Sequence, residues 1–175
     1  MSLWKWIPIG LLSVNLAWAG DCKLPTEITT RVSHPIESQR LVLPGDQQLE
    51  FALGAGAQTF AHVRDMLLVK YDDGAMLSHR VLAESELRTQ APSSLPFVDF
   101  LRLIFSTSVQ GASDHDREEA SAHWAAIQVG CTAVEHYRIG AVDVYGYTQN
   151  RTNGEHYHAW FLVNGDSVHF VDVTV

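Results

Sequence analysis

The fold is decided by residues 155–175, which read EHYHAWFLV, then NGD, then SVHFVDVTV. Two runs rich in β-branched and aromatic residues flank the Asn164-Gly165-Asp166 segment, where Asn and Gly accept the positive φ that tight turns demand. The stretch therefore predicts a β-hairpin. A turn centred on Asn164-Gly165 would pair Trp160 with His169 and His158 with Val171.

The alternation of side chains along a strand divides this hairpin into two faces. One face holds Tyr157, Ala159, Phe161, Val163, Val168 and Phe170, and the other holds His156, His158, Trp160, Leu162, His169, Val171 and Val173. Neither face is plainly polar. Such a hairpin is typical of the interior of a sheet that is covered on both faces, so we expect the rest of the chain to supply the covers.

The preceding chain shows strands, then two helices, then strands. We predict hairpins around residues 44–46 and 71–74, with a bend at 54–57 between them. A first, apolar helix is capped by Ser93 or Ser94 and has Pro96 in its first turn, and a second begins at Ser113 or Asp114 and reaches about Ile127. Strand alternation returns from residue 132 to residue 149.

This order of elements predicts the fold class. We expect α+β, a single domain, with a mainly antiparallel β-sheet covered by two helices. At the level of architecture, it is similar to the sheet-and-helix sandwich of the Mog1 and PsbP proteins, with no sequence motif in common.

The first residues are typical of an export signal. Lys5 precedes a short apolar run, and Ala17-Trp18-Ala19 has the Ala-x-Ala pattern of a cleavage site. We predict a signal peptide at residues 1–19, cleavage after Ala19, and a single exported α+β domain at residues 20–175 in the periplasm. A lipoprotein anchored at Cys22 is the alternative, although Asp21 stands where lipidation favours a small residue.

The sequence has two cysteines, Cys22 and Cys131. Because an exported chain meets an oxidising compartment, we predict a disulfide between them. It closes a loop of about 110 residues and contributes on the order of 4 kcal/mol by loop entropy. Unpaired buried cysteines are the alternative.

The charge balance is acidic, with a formal net charge of −8 that becomes about −9 when Lys5 leaves with the signal. This balance argues against nucleic acid as a partner and favours a basic protein partner, although solubility alone is a sufficient reason for it. We do not expect the mature chain to span a membrane.

Nine histidines raise the question of metal. His156, His158 and His169 share one face of the predicted hairpin, and imidazoles that converge from adjacent strands can bind zinc with an open fourth position. Packing of these rings beside Trp160 is the simpler alternative. A second set, His115, Glu119 and His123, follows one helical face, but its ends are about 12 Å apart, too far for one ion.

No catalytic motif is present, so we do not expect an enzyme and assign no catalytic residue or cofactor; zinc belongs to the metal alternative. We expect a non-enzymatic protein-binding protein, of the inhibitor or immunity protein kind, that neutralises a secreted toxin or enzyme. An envelope ligand carrier, with the apolar residues 95–105 lining a pocket, is a further alternative. The candidate partner-binding residues are the acidic, aromatic and amide groups of predicted loops, namely Asp72, Asp73, Tyr145, Tyr147, Asn150, Arg151 and Asn153.

Overall fold

The computed structural model describes residues 22–25, 29–30, 40–42, 50–52, 56–88, 95–106 and 109–175. The α+β prediction is confirmed, since a mainly antiparallel sheet is covered by two helices. The elements in chain order are β1 (Thr29–Thr30), β2 (Arg40–Val42), β3 (Glu50–Ala52), β4 (Ala57–Val63), β5 (Met66–Tyr71), β6 (Met76–Val81), α1 (Phe97–Phe105), α2 (Asp114–Gln128), β7 (Cys131–Ile139), β8 (Val142–Asn150), β9 (His156–Asn164) and β10 (Ser167–Thr174). The predicted signal peptide at residues 1–19, the caps Ser93 and Ser94, and the turn at residues 44–46 lie outside the described residues.

Seven antiparallel strands form the main sheet, in the order β7-β8-β9-β10-β6-β5-β4. The short strand β1 adds to β7 in parallel, and β2 pairs with β3 in a separate small sheet. The C-terminal hairpin, β9 with β10, therefore lies in the interior of the sheet, as its two apolar faces predict. Strands β4 to β6 and β7 to β10 each follow one another as neighbours, and the two groups join where β10 pairs with β6.

The register of the C-terminal hairpin differs from the predicted one by two residues. Trp160 lies opposite Val171, His158 opposite Val173, and His169 opposite Leu162. The reason is that Gly165, with a φ of +57°, takes the first central position of a two-residue turn, as in type II′ turns, while Asn164 still belongs to β9. A shift of two residues leaves every side chain on its predicted face.

Helix α1 is the main cover of one face, as predicted. Buried residues lie on most sides of the helix, namely Val98, Phe100, Leu101, Leu103, Ile104 and Phe105. Pro96 precedes the first turn, where its missing N–H costs no hydrogen bond. Because so little of its surface meets solvent, α1 belongs to the core.

Helix α2 begins where its capping residues predict. The Ser113 hydroxyl accepts a hydrogen bond from the Asp116 backbone N–H at 3.1 Å, and the Asp116 carboxylate accepts one from the Ser113 backbone N–H at 3.0 Å. This reciprocal pair satisfies two N–H groups that have no partner within the helix. In the helix itself only Asp116, Ala120 and Ile127 are buried, so α2 is the more exposed cover.

The two faces of the sheet carry different clusters. On the face that we call the helical face, Tyr145, Phe161, Val163 and Val168 pack in one core with both helices. On the opposite face, which we call the histidine face, a smaller apolar cluster of Leu67, Val69, Leu77 and Val171 lies on the same sheet surface as the fully buried His79 and His169.

The predicted disulfide is confirmed. Cys22 and Cys131 are joined with their Cα atoms 6.1 Å apart, across 109 residues of sequence. The Gln128 side-chain amide donates to the Cys22 carbonyl oxygen at 2.7 Å and holds the same segment against α2. Within the described part of the chain, neither helix is long and apolar enough to cross a membrane.

The sequence pattern does not predict strand β4, since it places a bend at residues 54–57 and the next two strands on either side of residues 71–74. Strand β4 pairs only with β5, and the ladder shifts between Ala57 and Thr59, so Gln58 is an extra residue at a bulge. Six of its seven residues are exposed, because the strand lies at the end of the sheet. An end strand buries few side chains, and a pattern built on burial therefore indicates it only weakly.

Candidate functional site

Two turns lie at the same end of the sheet and contain most of the predicted partner-binding residues. The turn between β8 and β9 covers residues 151–155, and the turn between β5 and β6 covers residues 72–75. The antiparallel register brings both to the same end, since Gln149 lies opposite Tyr157, Tyr157 opposite Thr174, and Thr174 opposite Met76. We call this surface the two-turn end. Three strand spacings separate the turns, about 14 Å, so they form one continuous surface.

The β8–β9 turn is held by its own hydrogen bonds. The Arg151 backbone N–H donates to the Glu155 carbonyl oxygen at 2.9 Å, and Gly154, with a φ of +88°, returns a bond to the Arg151 carbonyl oxygen at 3.0 Å. The side-chain oxygen of Asn153 accepts from the Glu155 backbone N–H at 3.2 Å. A turn with this many internal bonds presents its exposed side chains in a fixed arrangement.

Arg151 and Tyr157 form a cation–π pair at the two-turn end. The Arg151 guanidinium lies 3.8 Å from the ring centroid of Tyr157, and it also pairs with the Glu155 carboxylate at 3.6 Å. The hydroxyls of Tyr157 and Tyr147 are hydrogen-bonded to each other. Burial raises the pKa of both phenols, so they stay neutral and act by hydrogen bonding near neutral pH.

The β5–β6 turn supplies the acidic part. Asp73 accepts a hydrogen bond from the Ala75 backbone N–H at 2.9 Å, which fixes its carboxylate in the turn. The Asp72 carboxylate lies against Gly56, at 2.6 Å from the point where a Cβ of Gly56 would stand. Both aspartates are exposed, so both have room for a partner's donors.

Of the two remaining candidate residues on β8, Asn150 lies at the two-turn end and Tyr145 lies in the core. The Asn150 side-chain oxygen accepts from His156 Nδ1 at 2.7 Å on the exposed edge of the β8–β9 turn. Tyr145 is only 6% exposed, because its ring stacks on Phe105 at 4.9 Å and on His136 at 4.3 Å. Tyr145 therefore belongs to the core beneath α1 and not to the two-turn end. Alternation along β8 gives Tyr145 and Tyr147 the same face but does not tell which of them α1 covers.

The histidines of the predicted zinc site do not come together. His156 bonds to Asn150, and His158 Nδ1 lies 3.0 Å from the Thr148 hydroxyl with its ring stacked on Trp160. His169 is four positions along β10 from the residue opposite His158, about 13 Å away. Among the described residues, no group of three or more His, Cys, Asp or Glu side chains is arranged to hold a metal ion.

The second histidine set has structural contacts. His115 Nε2 lies 4.0 Å from the Glu119 carboxylate on the exposed side of α2. His123 Nε2 donates to the Leu87 carbonyl oxygen at 2.6 Å, and this bond ties α2 to the segment that follows β6. Of this set His115 is exposed, whereas Glu119 and His123 are partly buried and His123 also packs against Phe100.

Sequence reasoning missed a buried histidine pair. His79 Nε2 and His169 Nδ1 are 3.0 Å apart, on neighbouring strands β6 and β10, and both side chains are 0% exposed. Burial, with a smaller contribution from His169, lowers the pKa of His79 to about 4. Alternation along β6 groups His79 with Leu77 on one face, but the pair itself depends on the β6–β10 register, which no local pattern contains.

Two cavities open on the helical side of the sheet. One, of about 340 Å³, lies between the sheet and α2 and has apolar walls that include Leu82, Ile104 and Phe161, with Arg80 and Arg151 among its polar lining. The other, of about 630 Å³, lies beside the C-terminal end of α1 and includes Ile104, Phe105 and Trp124. Ile104 borders both.

Comparison with known proteins gives no relative for this chain: no protein-family model, no curated protein and no solved structure matches it.

Proposed function

We propose that this chain is an exported, periplasmic protein that works by binding another protein, as an inhibitor or immunity protein that neutralises a secreted toxin or enzyme. The observation that carries the proposal is the two-turn end. Six of the seven residues predicted to bind a partner belong to it or adjoin it: Asp72, Asp73, Tyr147, Asn150, Arg151 and Asn153.

The chemistry of this surface suits a protein partner. Carboxylates at one turn and an arginine stacked on a tyrosine at the other provide charged and aromatic contacts about 14 Å apart. Because hydrogen bonds within each turn already fix these groups, binding orders few further side chains. A pre-organised surface of this kind loses less entropy on association.

Charge favours a basic partner. The chain carries a formal net charge of −8, and the exposed Asp72 and Asp73 concentrate two negative charges at one turn. An acidic surface attracts a cationic one over distances of about a Debye length and speeds the encounter. An acidic turn can also occupy a cation-lined active site and prevent entry of the substrate.

The experiment is a pull-down with the mature, tagged protein from envelope extract and secreted fractions of its own organism and close competitors. Captured proteins are identified by mass spectrometry, and the stoichiometry and activity of a captured enzyme are then measured with purified components. We expect one stoichiometric protein whose activity falls on binding.

The test variant is the double substitution Asp72→Asn and Asp73→Asn, which keeps an acceptor oxygen at each turn position and removes two charges. The matched control is Asp114→Asn with Glu118→Gln, which removes two exposed charges from α2. We expect the turn variant to weaken binding by tenfold or more and the control to leave it unchanged. Equal affinities for both variants would refute the role of the two-turn end.

A second candidate function, an envelope ligand carrier, is favoured by the cavities beside α1. Ile104 borders both of them, and their walls are largely apolar. Native mass spectrometry of protein purified from the periplasm would detect a retained ligand. Ile104→Trp adds volume at the residue that borders both cavities and should displace such a ligand, whereas Val129→Trp, at an exposed site, should not.

A further inference from the structure

Strand β4 ends the main sheet and is open to solvent. It pairs with β5 on one side, and no described strand pairs with its other edge. The outward backbone N–H and C=O groups of such a strand can accept another strand. Phe60 and Val63 are 44% and 49% exposed, so the edge also presents apolar surface.

The sequence of β4 lacks most of the features that protect sheet edges. Residues 57–63 contain no Asp, Glu, Lys, Arg or Pro, although charged residues and proline usually block pairing at exposed edges. The bulge at Gln58 is the one protective feature here, and it leaves Thr59–Val63 in regular register. The outer edge of Thr59–Val63 can therefore pair with another strand.

This stretch is compatible with itself in the antiparallel direction. With Ala61 on a two-fold axis, Phe60 of each copy lies beside His62 of the other on one face of the joined sheet. On the other face, Thr59 lies beside Val63. Aromatic and β-branched cross-strand pairs of this kind stabilise antiparallel ladders, and no like charges face each other across the axis.

The charges at the two ends of β4 are compatible with the same arrangement. Arg64 and then Asp65 follow one end of the strand, and the Asp72 carboxylate stands against Gly56 at the other end. Antiparallel pairing brings Arg64 of each copy to the Asp72 end of the other, and this happens twice in one dimer. Parallel pairing would instead place Arg64 beside Arg64.

We infer that β4 is a self-association edge, through which a second copy of this chain adds to the sheet by antiparallel β4–β4 pairing. The dimer has two-fold symmetry, the commonest symmetry of protein dimers. Five paired residues with two ion pairs form an interface below about 1,200 Å², so we expect a weak dimer with a Kd on the order of 10–100 µM.

Sedimentation equilibrium of the mature, oxidised protein between about 5 µM and 500 µM tests this inference. We expect the mean mass to rise toward twice the chain mass. Phe60→Lys should weaken the dimer at least tenfold. The control Val129→Lys makes the same kind of change at a residue that is 69% exposed and far from β4 in sequence, and it should have no effect.

A charge exchange gives a second, independent test. Arg64→Asp should weaken the dimer, and Arg64→Asp with Asp72→Arg should restore it, which only an Arg64–Asp72 contact between copies explains. A wild-type protein that stays monomeric over the whole range would overturn the inference. A dimer that persists in Phe60→Lys, or that the charge exchange does not restore, would place the interface elsewhere. Circular dichroism melts confirm that each variant is folded.

Discussion

On the helical face of the sheet, burial depends on large aromatic side chains, whereas on the histidine face it includes two imidazoles. Phe105 packs against Trp124, Tyr145 and Phe161 on the helical face. His79 and His169 lie fully buried on the other face. The two faces should therefore respond to different perturbations, the first to lost volume and the second to protons.

The largest effect is expected on the helical face. Phe105→Ala removes a ring that is 4% exposed and contacts three aromatic neighbours, so the free energy of unfolding should fall by about 3–5 kcal/mol. Chemical denaturation monitored by circular dichroism measures it. Phe60→Ala, at a site 44% exposed, is the matched control and should change stability by under about 1 kcal/mol when measured at low concentration. Similar losses in both variants would contradict this account of the core.

The histidine face should give stability that depends on pH. The pKa of His79 is about 4 in the folded protein, below its ordinary value of 6.5, so the unfolded chain takes up the proton first as pH falls. The stability that comes from keeping His79 neutral is fully present above pH 6.5. As pH falls from 6.5 to 4, the free energy of unfolding should drop by about 3 kcal/mol in total. Unfolding free energies measured across this range test the expected slope.

Two variants sharpen the pH experiment. His79→Leu removes the buried imidazole, so the free energy of unfolding should change less with pH between 6.5 and 4. His156→Gln removes an exposed imidazole and should leave that pH dependence unchanged. A slope that survives His79→Leu would assign the pH dependence to other groups.

A smaller effect is expected where β8 and β9 touch. Gly146 lies opposite Trp160, and a Cβ at Gly146 would stand 2.6 Å from Trp160 Cδ1. Gly146→Ala should therefore cost about 1–3 kcal/mol by overpacking. Adding Trp160→Phe should recover part of that loss, as a double-mutant cycle would show. Additive losses would mean that the indole is not the obstacle.

The smallest effect concerns the exposed two-turn end. Arg151→Ala removes a cation–π contact and an exposed ion pair, so stability should fall by only about 1 kcal/mol or less. Affinity for the proposed partner should fall further than stability does. A thermal melt beside a binding titration separates the two, and a large loss of stability would make Arg151 a structural residue instead.

Local patterns predicted the elements that local chemistry determines. The capping residue Ser113 predicted the start of α2, and the apolar residues on most sides of helix 97–105 predicted that it covers the sheet. The presence of two cysteines in a chain predicted to be exported indicated the Cys22–Cys131 bond. Glycine and asparagine marked the C-terminal hairpin. Its register was wrong by two residues because the same Asn-Gly-Asp segment is compatible with turns that begin one residue apart.

Features that depend on distant pairing were not predictable. The His79–His169 pair requires β6 beside β10, two strands separated by both helices and three further strands in sequence. The burial of Tyr145 requires knowing where α1 lies on the sheet. The residues of the two-turn end were chosen by their type alone, and their proximity comes from the strand order, which no local periodicity encodes.

The pairing of β10 with β6 has a consequence for the order of folding. Strands β4 to β6 and β7 to β10 can each form by local hairpins, but residues 169–174, near the C-terminal end of the chain, must arrive before the two groups can join. During synthesis, a chain with most of its residues made would still expose one edge of each group. Cooperative closure of the main sheet therefore waits for β10, and until then the edges of β6 and of the β7–β9 group stay open to non-native pairing.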